Sequence, residues 1–301
     1  MKKYFIFAAA AIAMVACSND DNEVIAQNEN AIHLSANVGK RLTRANAADG
    51  LQETQFVSGQ NIFVEAYKTG ESSTYTTATY QTTDANGTMS GTMYYPSDGS
   101  NIDICAFYPS TVSSATTSFS VNASQTTANV ANYRGSDLMY ATKLTNEAKK
   151  TNDTHVLTFN HALSKIIVTL AAGNGVTADD ITGKVTAVKI NNTLPTAGFT
   201  ITNGAPGAIT ASGTAADIDI TGATKADHAG IIVPQAVAAG VFITVTYNGN
   251  NYTYSLAAAT TFEAGKVYTY ALTLSAAGIS LSSASITDWT EGTGGSGTIT
   301  L

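Results

Sequence analysis

Ile32, Leu34, Ala36 and Val38 alternate with His33, Ser35 and Asn37 near the start of the chain. Successive side chains of an extended backbone point to opposite faces, so this two-residue period predicts a half-buried strand. Polar sequence isolates it on both sides. Ser18 to Asn30 carries Asp20, Asp21, Glu23 and Glu29 and reads as a flexible tether, and Gly39 to Gly50 reads as a polar loop holding Arg41 and Arg44. From Phe56 to Thr142 the pattern predicts strands at Ile62–Tyr67, Thr74–Thr82, Ile102–Tyr108, Ser118–Asn122 and Leu138–Thr142. Asp84-Ala85-Asn86-Gly87, Tyr95-Pro96-Ser97-Asp98-Gly99 and Tyr108-Pro109-Ser110 punctuate them as turns: Gly accepts positive φ, Pro fixes φ, and Asp or Asn bonds its own backbone.

A polar stretch from Asn146 to Asp153 reads as a domain link. Beyond it, Leu157 to Leu170 forms one continuous β-type run, expected to be buried on both faces at its centre. Phe242–Tyr247 and Tyr252–Leu256 flank Asn248-Gly249-Asn250, a strong hairpin signal. Lys266–Leu274 places Tyr268, Tyr270, Leu272 and Leu274 on one face, and Ile279–Trp289 and Thr298–Leu301 follow, joined by a loose connector from Gly292 to Gly297. No window of helical length carries a 3.6-residue apolar period. Many short strands at turn-marked spacing predict an all-β chain of two tandem β-sandwich domains with little helix, at 45–153 and 154–301.

The chain opens Met1-Lys2-Lys3, runs apolar from Tyr4 to Ala16 and reaches Cys17. A basic start, an apolar run too short to span a bilayer and a small residue before cysteine read as a lipoprotein signal over 1–17. Cys17 is then the lipid-bearing residue, anchored to the membrane without spanning it. The alternative is an ordinary signal peptide with a chance cysteine.

Charged residues make up 12% of the 301, about half the usual share, and the formal charge is −7. No basic cluster follows the leader, which argues against nucleic acid as a partner. With Cys17 lipidated, Cys105 has no partner for an intrachain disulfide and reads as a small buried hydrophobe. His33, His155, His161 and His228 have no metal-ligand spacing, and His161 reads as a packing residue. Asp217 and Asp219 read as an exposed strand face rather than a calcium loop, and the Asn122 and Asn251 sequons are expected by chance in so Thr-rich a chain. Tyr94, Tyr95, Phe107 and Tyr108 read as sandwich core, with a ligand-stacking platform as the alternative. No catalytic constellation and no cofactor motif emerges, so an enzyme is not expected.

Taken in order, several segments resemble the fimbrillin family, the subunits of type V pili. They are Cys17 with its acidic follow-on, Arg44-Ala45, Phe56-Val57-Ser58-Gly59-Gln60-Asn61-Ile62-Phe63-Val64, Met93-Tyr94-Tyr95-Pro96 and Ile104-Cys105-Ala106-Phe107-Tyr108-Pro109. Asp137-Leu138-Met139-Tyr140-Ala141, Leu157-Thr158-Phe159-Asn160-His161-Ala162-Leu163-Ser164-Lys165-Ile166, Phe262-Glu263-Ala264-Gly265-Lys266-Val267-Tyr268 and Ile286-Thr287-Asp288-Trp289 complete the set. The chain departs from its relatives at Gly59-Gln60, where they often carry Gly-Asp, and at Tyr95, where they often carry Trp.

The resemblance implies transthyretin-like, Greek-key sandwiches and an outer-membrane lipoprotein precursor that ends in a cell-surface fimbria contributing to adhesion. It also implies that 18–44 is a propeptide removed by an arginine-specific surface protease. Arg44 is then the cleavage point, with Arg41 the alternative, and Ile32, Leu34, Ala36 and Val38 form the removable strand. A C-terminal strand of a neighbouring subunit refills the space. Ile299 and Leu301 are the candidate donor residues, helped by residues from Ile279–Ile286, unless they form a final strand of their own domain. A minor or tip adhesin is the close variant. The rival class is a monomeric surface lipoprotein that binds glycan.

Overall fold

The computed structural model describes residues 30–39, 56–84, 86–150 and 153–289, together with the backbone of 297–298. The first half supplies β1 (Leu34–Val38), β2 (Asn61–Lys68), β3 (Thr74–Thr82), β4 (Met89–Ser90), β5 (Ile102–Tyr108), β6 (Ser118–Ser120), β7 (Met139–Ala141), β8 (Leu144–Glu147) and β9 (His155–His161). The second half begins with β10 (Ser164–Ala172), β11 (Val185–Thr193), β12 (Thr196–Gly198), β13 (Ile201–Thr202), β14 (Ala205–Pro206), β15 (Thr210–Ser212) and β16 (Ala216–Asp219). It ends with β17 (Asp227–Ile232), β18 (Gln235–Val237), β19 (Gly240–Tyr247), β20 (Asn250–Leu256), β21 (Thr260–Phe262), β22 (Lys266–Ser275), β23 (Gly278–Asp288) and β24 (Gly297–Thr298). Among the described residues helix is confined to a single 3-10 turn (Thr127–Asn129) and two short segments, α1 (Val130–Gly135) and α2 (Ala178–Lys184). Helix α2 starts on a capping box that satisfies two amides at its open end: the Thr177 hydroxyl accepts from the Asp180 N–H, and the Asp180 carboxylate accepts from the Thr177 N–H.

The strands of the first half form one sheet in the order β1-β9-β7-β5-β2-β3-β4, with β8 also pairing with β5. The two ends of this sheet meet. Ser35 bridges Thr88 and Ala31 bridges Tyr94, so β1 lies between β9 on one side and the segment 87–95 on the other. Inside the ring Ile32, Leu34, Ala36 and Val38 pack with Phe56, Ile62, Val64, Tyr80, Leu157 and Phe159. The period of two read from the sequence is here the period of burial.

In the second half the sheets β17-β10-β22-β23-β24 and β16-β11-β19-β20 share one core, built from Ile166 and Val168, Tyr270 and Leu272, Val188 and Ile190, and Val245. Asn248 and Gly249 sit at φ 48° and 77°, the conformation that a tight two-residue hairpin demands. Strand β17 is an edge of its sheet, and the buried Gln125 side chain covers it. Its Nε2–H donates to the Ile231 carbonyl at 2.9 Å, and its Oε1 accepts from the Ile231 N–H at 2.7 Å. An amide side chain thus takes the place of a neighbouring strand and blunts the edge.

Three expectations change. The run Leu157 to Leu170 is two strands, β9 and β10, that separate at Ala162-Leu163 and enter different sheets. Strand β9, placed in the domain 154–301 by sequence, pairs with β1 and β7, so the change of sheet falls at Ala162-Leu163 instead of at Asp153. Strand β6, placed in the domain 45–153, pairs with β12 of the second half. Interlocking of this kind is reinforced by β5. Its Ile102, Ile104, Ala106 and Tyr108 face the first core, while Cys105 and Phe107 face the second.

Candidate functional site

Strand β1 pairs in parallel with β9, from Leu34 opposite His155 to Val38 opposite Phe159. The His155 N–H donates to the His33 carbonyl at 2.9 Å, and the Gly39 N–H donates to the Phe159 carbonyl at 3.0 Å. On the opposite edge the Ile32 N–H donates to the Met93 carbonyl and the Ala36 N–H to the Gly87 carbonyl, both at 2.8 Å, while the Tyr95 N–H donates to the Asn30 carbonyl at 2.9 Å. An isolated strand exposes these groups to water. Here they are paired along both edges, as buried backbone must be.

Side chains complete the seat. Ile32, Leu34, Ala36 and Val38 are each no more than 3% exposed. Burial of Ile32, Leu34 and Val38 at roughly 1.5–3 kcal/mol each amounts to about 4.5–9 kcal/mol before the cost of ordering the segment, with the Ala36 methyl adding about 1 or less. The buried Tyr80 hydroxyl donates to the Ile32 carbonyl at 2.8 Å, and burial pushes its pKa up to about 12. Gly87 presses on the middle of β1. A Cβ at that position would lie 1.9 Å from the Ala36 carbonyl oxygen, and its φ of +80° suits glycine in any case.

A polar cluster borders the entry of β1. Tyr95 Oη lies 2.6 Å from His155 Nε2, His155 Nδ1 lies 3.0 Å from Glu147 Oε2, and the Lys150 N–H donates to Tyr95 Oη at 3.2 Å. Burial, with Lys150 nearby, lowers the His155 pKa against the opposing pull of Glu147. Lys149 Nζ donates to the Asn30 side chain at 2.7 Å. In the sequence Asp84 to Gly87 and the Tyr95-Pro96 segment read only as turns. Contacts that join distant parts of the chain leave no local pattern, so Tyr80, Gly87, Met93, Tyr95 and His155 were not recognised as parts of the seat.

The other sequence-derived residues fall elsewhere. Cys17, Arg41, Arg44, Ile299 and Leu301 lie outside the described residues. Cys105 is buried, and burial raises its thiol to about 11, which keeps it protonated at neutral pH. His161 Nδ1 lies 2.8 Å from Asp137 Oδ1, and its ring stacks on Trp289 at 4.0 Å and 4°. Asp217 is exposed, and Asp219 accepts from the Thr221 hydroxyl and N–H. Among the described residues no group of three His, Cys, Asp or Glu could hold a metal ion, and no helix is long and apolar enough to cross a membrane. Of the aromatic set, Tyr95, Phe107 and Tyr108 are buried and Tyr94 is 45% exposed, so the four do not form a platform.

The family model described as fimbrillin-like matches residues 43–289. This chain belongs to the fimbrillin-like family. It is 31% identical over 316 residues, 98% of each chain, to a Bacteroides uniformis protein assigned as fimbrium subunit Fim1C. Two crystal structures of proteins assigned to cell adhesion share the fold. One, from Bacteroides uniformis ATCC 8492, has a TM-score of 0.65 at 23% identity, covering 87% of this chain and 99% of the other. The second, from Bacteroides ovatus ATCC 8483, has a TM-score of 0.59 at 19% identity, with the same coverage. The match to the fimbrillin-like model begins just after β1, one residue before Arg44.

Proposed function

We propose that this fimbrillin-like chain is exported as a lipoprotein precursor and assembled into a cell-surface fimbria by strand exchange. Cys17 carries the lipid and holds the precursor at the outer membrane. An arginine-specific surface protease cuts after Arg44, or after Arg41, and the segment bearing β1 departs. A C-terminal strand of the neighbouring subunit then fills the vacated seat by adding to the exposed sheet edges. Ile299 and Leu301 are the first candidates for that strand, with residues of Ile279–Ile286 as helpers.

One observation carries this reading. Strand β1 fills the gap between the two ends of the first sheet, yet it is separated from the next described residue, Phe56, by the segment 40–55 that contains both arginines. A single cut in that segment would leave β1 held by non-covalent contacts alone. A monomeric glycan-binding module would need a gathered aromatic surface, and Tyr94 alone of the four aromatics considered is exposed.

The test uses soluble chain lacking residues 1–17 and brief digestion with trypsin. The expected result is one early cut in 40–45 followed by a ladder of oligomers, both abolished in the Lys40→Ala/Arg41→Ala/Arg44→Ala triple variant, since trypsin also cuts after lysine. A cleanly cut chain that stays monomeric after β1 has dissociated would overturn the assembly reading. Deleting Thr298–Leu301 tests the donor separately, since assembly at normal yield would exclude those residues.

A further inference from the structure

We propose that the β1 seat selects its occupant by register, and that the position of Ala36 is the register mark. This inference rests on the strand-exchange reading and specifies the partner: an extended segment, parallel to β9, with apolar side chains at four alternate positions and a small one at the third. The four seats are occupied in order by Ile32, Leu34, Ala36 and Val38, all buried in one close-packed core. A segment entering one residue out of step would turn every apolar side chain to the outside, so period alone excludes odd slips. A slip of two residues preserves the faces and the alternation of backbone bonds along the middle of the strand. Only the sizes of the side chains can detect it.

Ala36 is the place where size is tested. The backbone there is pinned from both edges: the parallel ladder holds Ala36 opposite Leu157, and the Ala36 N–H donates to the Gly87 carbonyl at 2.8 Å. Gly87 is packed so closely that even a methyl group on it would meet the Ala36 carbonyl oxygen. The backbone at the third seat is thus fixed within the sheet, and a longer side chain there would enter a core of native density, which resists overpacking. A two-residue slip towards either end brings a leucine- or valine-sized group to that seat.

The backbone adds a second requirement. Amides are needed at the positions of Ile32 and Ala36, which donate to Met93 and Gly87, so proline is excluded there. A carbonyl is needed at the first seat, where the buried Tyr80 hydroxyl otherwise loses its acceptor. The partner chemistry is thus a proline-free strand reading large, large, small, medium at alternate positions, of which Ile299 and Leu301 would supply the first two.

The experiment compares two fluorescein-labelled peptides of identical composition on trypsin-cut chain. One has the sequence of residues 30–39, and the other carries Leu34→Ala with Ala36→Leu. Fluorescence anisotropy should show the first binding and the exchanged peptide binding at least tenfold more weakly, with neither binding the uncut chain. Equal affinities for the two peptides would overturn the register mark while leaving strand exchange standing. Binding of neither peptide to chain that mass spectrometry shows has lost β1 would overturn both. Because the altered residues are in the peptides, the folding of the protein is the same in every arm.

Discussion

Tyr80 places a hydroxyl inside an apolar core, and the Ile32 carbonyl is its acceptor. A buried donor without a partner costs more than a hydrogen bond gains, so this pair ties β1 to β3 in a way that water does not offer. Tyr80→Phe keeps the ring and leaves the Ile32 carbonyl without this donor; urea unfolding should show a loss of about 1–2 kcal/mol. His228 presents the opposite problem of a titratable ring that stays neutral. Its Nδ1 accepts from the Gly222 N–H at 2.9 Å, its Nε2–H donates to the Lys225 carbonyl at 3.0 Å, and burial lowers its pKa to about 4. The unfolded chain, with an ordinary histidine pKa near 6.5, takes up the proton first. The stability it contributes is therefore complete above about pH 6.5 and is lost as the pH falls towards about 4, by roughly 3 kcal/mol. Chemical denaturation at pH 7 and pH 4 should show that extra loss in the wild type and not in His228→Gln.

At the scale of the element, β1 is held along its length by two unlike neighbours, a regular parallel strand and an irregular loop. The loop side depends on Gly87, whose replacement by alanine forces a contact of 1.9 Å and occupies a left-handed φ. Gly87→Ala should raise hydrogen exchange at 34–38 by at least tenfold while β22 keeps its protection; unchanged exchange at β1 would mean that the loop does not hold it. Much at this scale was legible in the chain. Alternation located β1, β3 and the buried face of β22, because each has one face in a core and the pattern records it, whereas β5, buried on both faces, reads only as a β-type run. The division between β9 and β10 was also written there. Buried positions are odd-numbered at Leu157, Phe159 and His161, then even-numbered at Ile166, Val168 and Leu170. A reading by hydrophobic content merges the two; a reading by phase separates them. The closure of the first sheet across Ser35–Thr88 and Ala31–Tyr94 left no such trace, because it joins residues about 50 to 60 positions apart through isolated bridges. Helix α2 was missed because seven residues are too few to display a 3.6-residue period, although Thr177 and Asp180 mark its start.

The molecule as a whole is bound together more tightly than two beads on a string. Strand β6 crosses to pair with β12, and Trp289 at the end of β23 stacks on His161 at the end of β9. Trp289 is the single tryptophan of the chain, so its emission reports on this junction and on nothing else. Thermal unfolding followed by Trp289 fluorescence should coincide with unfolding followed by far-ultraviolet circular dichroism, and an earlier fluorescence transition would show the halves parting first. Strand β5 gives this cohesion its physical basis, since its two faces belong to two different cores. In a filament under tension, such a strand acts as a party wall. Under the proposed strand exchange, load that reaches one half through a seated guest would pass directly to the other, and neither could yield without baring a face of the wall they share.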